Sequence, residues 1–167
     1  MVHELDRDEL INELERAFEG VNLGEGIGIH QAMAIDSYAG ERALEINKKL
    51  DDWKDWKEIP DELMEYGNGA LSFMDAEGLR FALPAFLRYC LRYFMSRGWT
   101  TVDAPIYALA RGLKPSRGEL LVLTQEQKEI IAKFLRFLIL EGRDYVDSEA
   151  ASIAYEVHWK QHDPNPV

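Results

Sequence analysis

The chain holds a single cysteine, Cys90, so no internal disulfide is available to staple it. No apolar run approaches the roughly 18 residues that a membrane-spanning helix needs. The opening, MVHELDRDEL, has neither the basic start nor the apolar stretch of a secretion signal. These absences predict a protein of a reducing compartment, most simply the cytoplasm, with no membrane partner.

Catalytic signatures are missing too. The glycines of VNLGEGIGI follow no strand and lack dinucleotide-fingerprint spacing, and RGLKPSRG lacks the pattern of a phosphate-binding loop. His158 and His162 stand four apart, near Glu156 and Asp163, in the spacing of a zinc pair. No glutamate sits between them in zincin fashion, so neither metal nor cofactor is predicted. Cys90 lies in an apolar run without an adjacent base, which argues against a nucleophile.

What is present is a chain of 167 residues, enough for one self-sufficient domain over 1–167. Its net charge of -11 is one-sided. Residues 1–65 hold 18 acidic and 7 basic side chains, while residues 66–167 hold 12 of each. Such a surface repels phosphates, so no nucleic-acid partner is expected. It serves either solubility or attraction to a basic protein.

Apolar spacing and turn residues predict mostly helices. The first covers Arg7–Glu19, with Leu10, Leu14, Ala17 and Phe18 on one stripe and Gly20 as its stop. Residues 30–50 read as helical with a break at Gly40. Trp53 and Trp56, three apart, share a face if that segment is helical. Asp61, after Pro60, is placed to cap a short helix ending at Tyr66. A short helix is expected over 102–110. Thr124 and Gln127 form a capping box for a helix that buries Ile130, Ile131, Phe134, Phe137 and Leu138 and stops at Gly142. A last helix is expected from Ser148 to Trp159.

The stretch LSFMDAEGLRFALPAF, Leu71–Phe86, reads as a β-hairpin. A three-residue loop, Ala76-Glu77-Gly78, pairs Phe73 with Phe81 and Leu71 with Leu83, keeping the large apolar groups on one face. Asp75 suits the first position of that turn and Gly78 its left-handed residue. Pro84 then opens a nearly all-apolar central helix over 84–97, on which Arg88, Arg92 and Ser96 form the polar stripe. The predicted fold is mainly α (α+β): six to eight helices, with one small antiparallel hairpin near 71–83 packed on that central helix.

The same stretch, preceded by Trp56, Ile59 and Pro60, resembles an uncharacterised bacterial family marked by the pattern L-x-F-x-D-x-x-G-x-R-F-x-L-P-A. The resemblance covers about residues 53–95. It implies a small stand-alone protein without an agreed activity, and no catalytic residues. Ala82 departs from the pattern where an aromatic is usual.

Seven side chains are candidates for a ligand or partner: Trp53, Trp56, Asp75, Arg80, Arg88, Tyr89 and Arg92. Asp75 is explained by the turn alone. Arg80 is read as paired with an acid from residues 1–65, or else as a fork for an anion. Arg88 and Arg92, one turn apart, lie against an acidic early helix or hold a carboxylate or phosphate. The favoured function is a non-enzymatic interaction protein, partner-binding or immunity-like, with an acidic face and tryptophan anchors. The alternative is a small-molecule binder or enzyme with a site around Arg80, Arg88 and Tyr89.

Overall fold

The computed structural model describes residues 6–96, 99–113, 118–119 and 122–167, with the backbone alone at 99–100. Half of the predicted basic loop 111–118, residues 114–117, falls outside these residues. No β-strand occurs among the described residues, so the hairpin near 71–83 is corrected to helix. Residues Ala70–Phe73 form a short 3-10 turn, and a single helix runs over Ala76–Tyr93.

The reason lies in Asp75. Its backbone is extended, and its side chain accepts the N–H of Gly78, which makes it the N-cap of that helix. An aspartate three residues before a glycine serves a hairpin turn or a helix start equally well. The cap wins here, and Pro84 therefore sits inside the helix rather than opening it. From Gly78 to Leu91 every residue except Arg80 is buried. Apolar residues occupy all faces of a helix buried this completely, so the alternation of Leu79, Phe81 and Leu83 carried no strand signal.

The other helices surround this one. We label them α1 (Arg7–Ala17), α2 (Ile29–Asp36), α3 (Glu41–Leu50), α4 (Asp61–Tyr66), α5 (Ala76–Tyr93, the central helix), α6 (Trp99–Val102), α7 (Ala104–Ala110), α8 (Gln125–Glu141) and α9 (Ser148–Ala154). Helix α1 packs on α5 and α8, α8 packs on α9, and α7 bridges α5 and α9. Phe86, Leu87, Leu91, Phe134, Leu135 and Leu138 form the centre of the core.

The predicted ends that rest on local chemistry stand. Gly20 follows α1 at φ +74, and Gly40 precedes α3. The Thr124–Gln127 capping box starts α8, and Gly142 ends it. The predicted last helix changes winding: α9 gives way to a π turn at Tyr155–Trp159 and a 3-10 turn at Lys160–His162. The wider π turn keeps both Tyr155 and Trp159 buried. Asp61 is the first residue of α4 and not its cap, because Pro60 holds the cap position.

A polar lock closes the C-terminal end. The buried Arg136 guanidinium lies 3.1 Å from Asp163 and donates to the Asn165 carbonyl. Tyr155 donates to Asp163 at 2.8 Å, and burial together with that bond pushes its phenol up to about 12. A second tie joins α7 to α9. Asp103, almost fully buried, accepts the backbone N–H of Asp147 at 3.0 Å, and Tyr107 donates to the Asp147 carboxylate at 2.9 Å.

Candidate functional site

The first turn of α5 is a junction. Asp75 Oδ1 accepts two backbone N–H groups, from Gly78 of its own helix and from Ile27 of the loop before α2, each at 2.9 Å. That loop crosses the helix so closely that a β-carbon at Gly78 would meet the Ile27 carbonyl oxygen. Gly78 lies in α5, so left-handed backbone is not what it supplies. It supplies space for a crossing chain.

One turn on, Arg80 pairs with Glu77 at 2.9 Å and donates to the Val122 carbonyl at 3.3 Å. The expected carboxylate from residues 1–65 is not its partner. Glu77 is three residues away on the same helix, where a pair forms at little entropic cost.

The same crossing loop leads into a constellation that sequence reasoning missed. Asp51, whose side chain is almost fully buried, accepts the backbone N–H groups of His30 and Gln31 at 2.9 and 3.0 Å. It thereby caps α2 from 20 residues away, where Gly28 at the cap position offers no side chain. The His30 Nδ1 lies 3.0 Å from the same carboxylate, and its ring stacks on Trp53 at a centroid distance of 6.2 Å. A β-carbon at Gly28 would stand 2.3 Å from Asp51 Cγ, so the glycine admits the carboxylate. Only the pairing of a helix start lacking a polar cap with a distant acid pointed to this contact.

Arg88 sits in a second cluster. Its guanidinium pairs with Glu15 of α1 at 3.1 Å, donates to the Lys57 carbonyl at 3.2 Å, and lies 4.7 Å from the centre of the Trp56 ring. Trp56 is buried and donates to the Phe18 carbonyl at 3.0 Å, and Gln127 donates to the Ala17 carbonyl at 3.1 Å. The Ala17 and Phe18 carbonyls at the end of α1 each thereby gain a side-chain donor. The arginine lies against the first helix, as charge asymmetry suggested. Trp53 and Trp56 do not share a helical face, because Trp53 precedes the short 3-10 turn Trp56–Glu58 and is half-buried.

The hydroxyl groups of Tyr89 and Tyr93 donate to Glu65 and Asp61 of α4 at 3.0 and 2.7 Å. Arg92 is exposed and borders a shallow groove with Arg7, Asp8 and Ile11. The seven candidates therefore fall into separate clusters rather than one pocket. Most hold two segments of the chain together.

Two further groups complete the chemistry. Burial raises the Cys90 thiol far above its ordinary range, with the nearby Asp103 carboxylate adding to the effect, so it stays protonated. Burial lowers His162, with Lys128 acting in the same direction. Among the described residues, no group of three His, Cys, Asp or Glu side chains gathers closely enough to hold a metal ion.

The least settled part of the surface is elsewhere. Helix α3 contains no buried residue and rests chiefly on α2. Ile46 and Leu50, one turn apart, are each about half exposed. Just before this helix, Tyr38 holds a left-handed backbone with φ 54 and is 97% exposed. Tyr66 at the end of α4 is also largely exposed.

Among the described residues no helix is long and apolar enough to cross a membrane. A family model described as "Family of unknown function (DUF6714)" matches residues 6–163, which agrees with the resemblance to a family without an agreed activity. No curated protein and no solved structure matches the chain.

Proposed function

We propose that this chain, which belongs to that family of unknown function, is a non-enzymatic protein-binding module that docks a basic partner through Tyr38 and the outer face of α3. The observation that carries the reading is Tyr38. A left-handed backbone costs a non-glycine residue roughly 1 kcal/mol, and a fully exposed tyrosine recovers none of it by packing. The backbone itself serves the end of α2, whose Ile35 and Ala34 carbonyls accept the N–H groups of Tyr38 and Ala39, so the feature that points to recognition is the exposed ring carried at a position where glycine is the usual residue. Tyrosine is also an efficient anchor, since it gives a large contact area while few torsions are frozen.

The neighbourhood supports the same reading. Ile46 and Leu50 lie on one stripe of α3, the helix that follows the tyrosine, and expose further apolar surface there. The segment containing them, residues 1–65, carries 18 acidic against 7 basic side chains. A partner with an apolar cleft rimmed by lysine or arginine fits this combination, and steering by opposite charge speeds its approach. An immunity-like role is one form such a module takes. With its one cysteine buried, the cytoplasm is the proposed setting.

The test is comparative capture. Wild-type protein and an Ile46→Asp, Leu50→Asp variant are immobilised at equal density and exposed to native lysate. A bound protein of high isoelectric point, retained by the wild type and lost from a variant that melts normally, supports the reading. Equal retention by both contradicts it.

A further inference from the structure

We propose that the groove between the Ala70–Phe73 turn and α7 binds a small organic carboxylate, with Arg111 as its cation. Four arginines are buried or half-buried among the described residues. Arg80 has Glu77, Arg88 has Glu15, and Arg136 has Asp163. Arg111 alone of the four meets no carboxylate among those residues. Its Nη2 donates to the Leu71 carbonyl at 3.3 Å, and its Nε is shielded from water with no hydrogen-bond partner. An embedded guanidinium in this state lacks the compensation that its burial calls for.

Arg111 borders a groove of about 330 Å³, within the size range of small-ligand sites. The walls suit an apolar body: Leu71 on the turn, and Ala108 with Tyr107 on α7. The Tyr107 ring is fixed in place because its hydroxyl is tied to Asp147. Asn68 and Ser72 add neutral polar groups at the rim. A single guanidinium fork with neutral helpers matches a monoanionic carboxylate, which accepts two parallel N–H bonds. A doubly charged phosphate would face the repulsion of a chain with net charge -11.

The probe is phenylacetate, with phenylacetamide as its uncharged counterpart of the same shape. Both are titrated to millimolar concentration into the full-length, isotope-labelled protein, and backbone amide signals are followed. Phenylacetate is expected to give saturable shifts centred on Leu71, Ser72, Ala104 and Ala108, and phenylacetamide to give none. In Arg111→Gln the apparent affinity should fall about tenfold or more, the loss of a charged hydrogen-bond pair. The exposed Arg92→Gln should leave it unchanged. The comparison of acid with amide on the unaltered chain stands even if the Arg111 variant fails to fold. Absence of a saturable shift, equal shifts from acid and amide, or undiminished binding to a folded Arg111→Gln protein would each overturn the proposal.

Discussion

A β-carbon on Gly78 would stand 2.0 Å from the carbonyl oxygen of Ile27. Two chain segments nearly 50 residues apart are thereby held at backbone contact, with Asp75 bonding both. Two effects of Gly78→Ala oppose each other. Helix propensity alone favours alanine by about 1 kcal/mol. The close approach forces the crossing loop away, and overpacking of this kind costs about 1–3 kcal/mol. So short an approach to a backbone oxygen puts the steric cost at the top of that range, about 3 kcal/mol, and with the propensity gain subtracted Gly78→Ala should lower stability by about 2 kcal/mol. Denaturant unfolding decides it, and an alanine variant as stable as wild type would show that the loop gives way freely.

The two buried arginine pairs should respond differently to loss of the cation. Arg136 and Asp163 have side chains 7% and 0% exposed, whereas those of Arg88 and Glu15 are 8% and 33% exposed. Arg136→Met strands a carboxylate out of water and should cost about 3–5 kcal/mol. Arg88→Met leaves Glu15 able to rehydrate, and the loss is mainly the packing on Trp56 and the bond to Lys57. That should come to about 1–2 kcal/mol. Chemical denaturation of the two variants should therefore rank Arg136→Met well below Arg88→Met. The reverse order would mean that the α1–α5 contact, and not the C-terminal lock, carries the greater strain when broken.

Asp103 should make stability depend on pH. Burial is the largest effect on it and raises its carboxyl above the ordinary 3.8. Between that value and the raised one, the folded state binds more protons than the unfolded state. This contribution to stability is present at low pH and is lost as pH rises through the window. Asp103→Asn keeps a neutral acceptor for the Asp147 N–H and should escape the loss. The stability difference, variant minus wild type, should then grow as pH rises from about 4. Parallel stability curves across that range would remove Asp103 from the account.

How much of this was legible in advance follows from where each contact's information sits. The ends of α1 and α8 were readable because Gly20 and the Thr124–Gln127 box act within one turn of chain. The contact between Arg88 and the first helix was foreshadowed by excess acid in residues 1–65. The hairpin failed because Asp75 and Gly78 are equally suited to a turn and to a helix start, and the crossing loop that decides between them comes from far away in sequence. Asp51 capping α2 lay beyond local reading for the same reason. Arg80 was assigned a distant partner although Glu77 stood three residues away. Nothing in the letters around Tyr38 announced a left-handed backbone, since Gly40, two residues later, is the more obvious place for one.

Tyr38→Gly tests the central claim most directly, because stability and recognition should move in opposite directions. Glycine relieves the left-handed strain, so unfolding should show a gain of about 1 kcal/mol. Retention of the basic partner should fall at the same time, through loss of the aromatic anchor. A more stable protein that captures less of its partner is the predicted result. A Tyr38→Gly variant that captures the same partner equally well would contradict the assignment of this surface, whatever its stability.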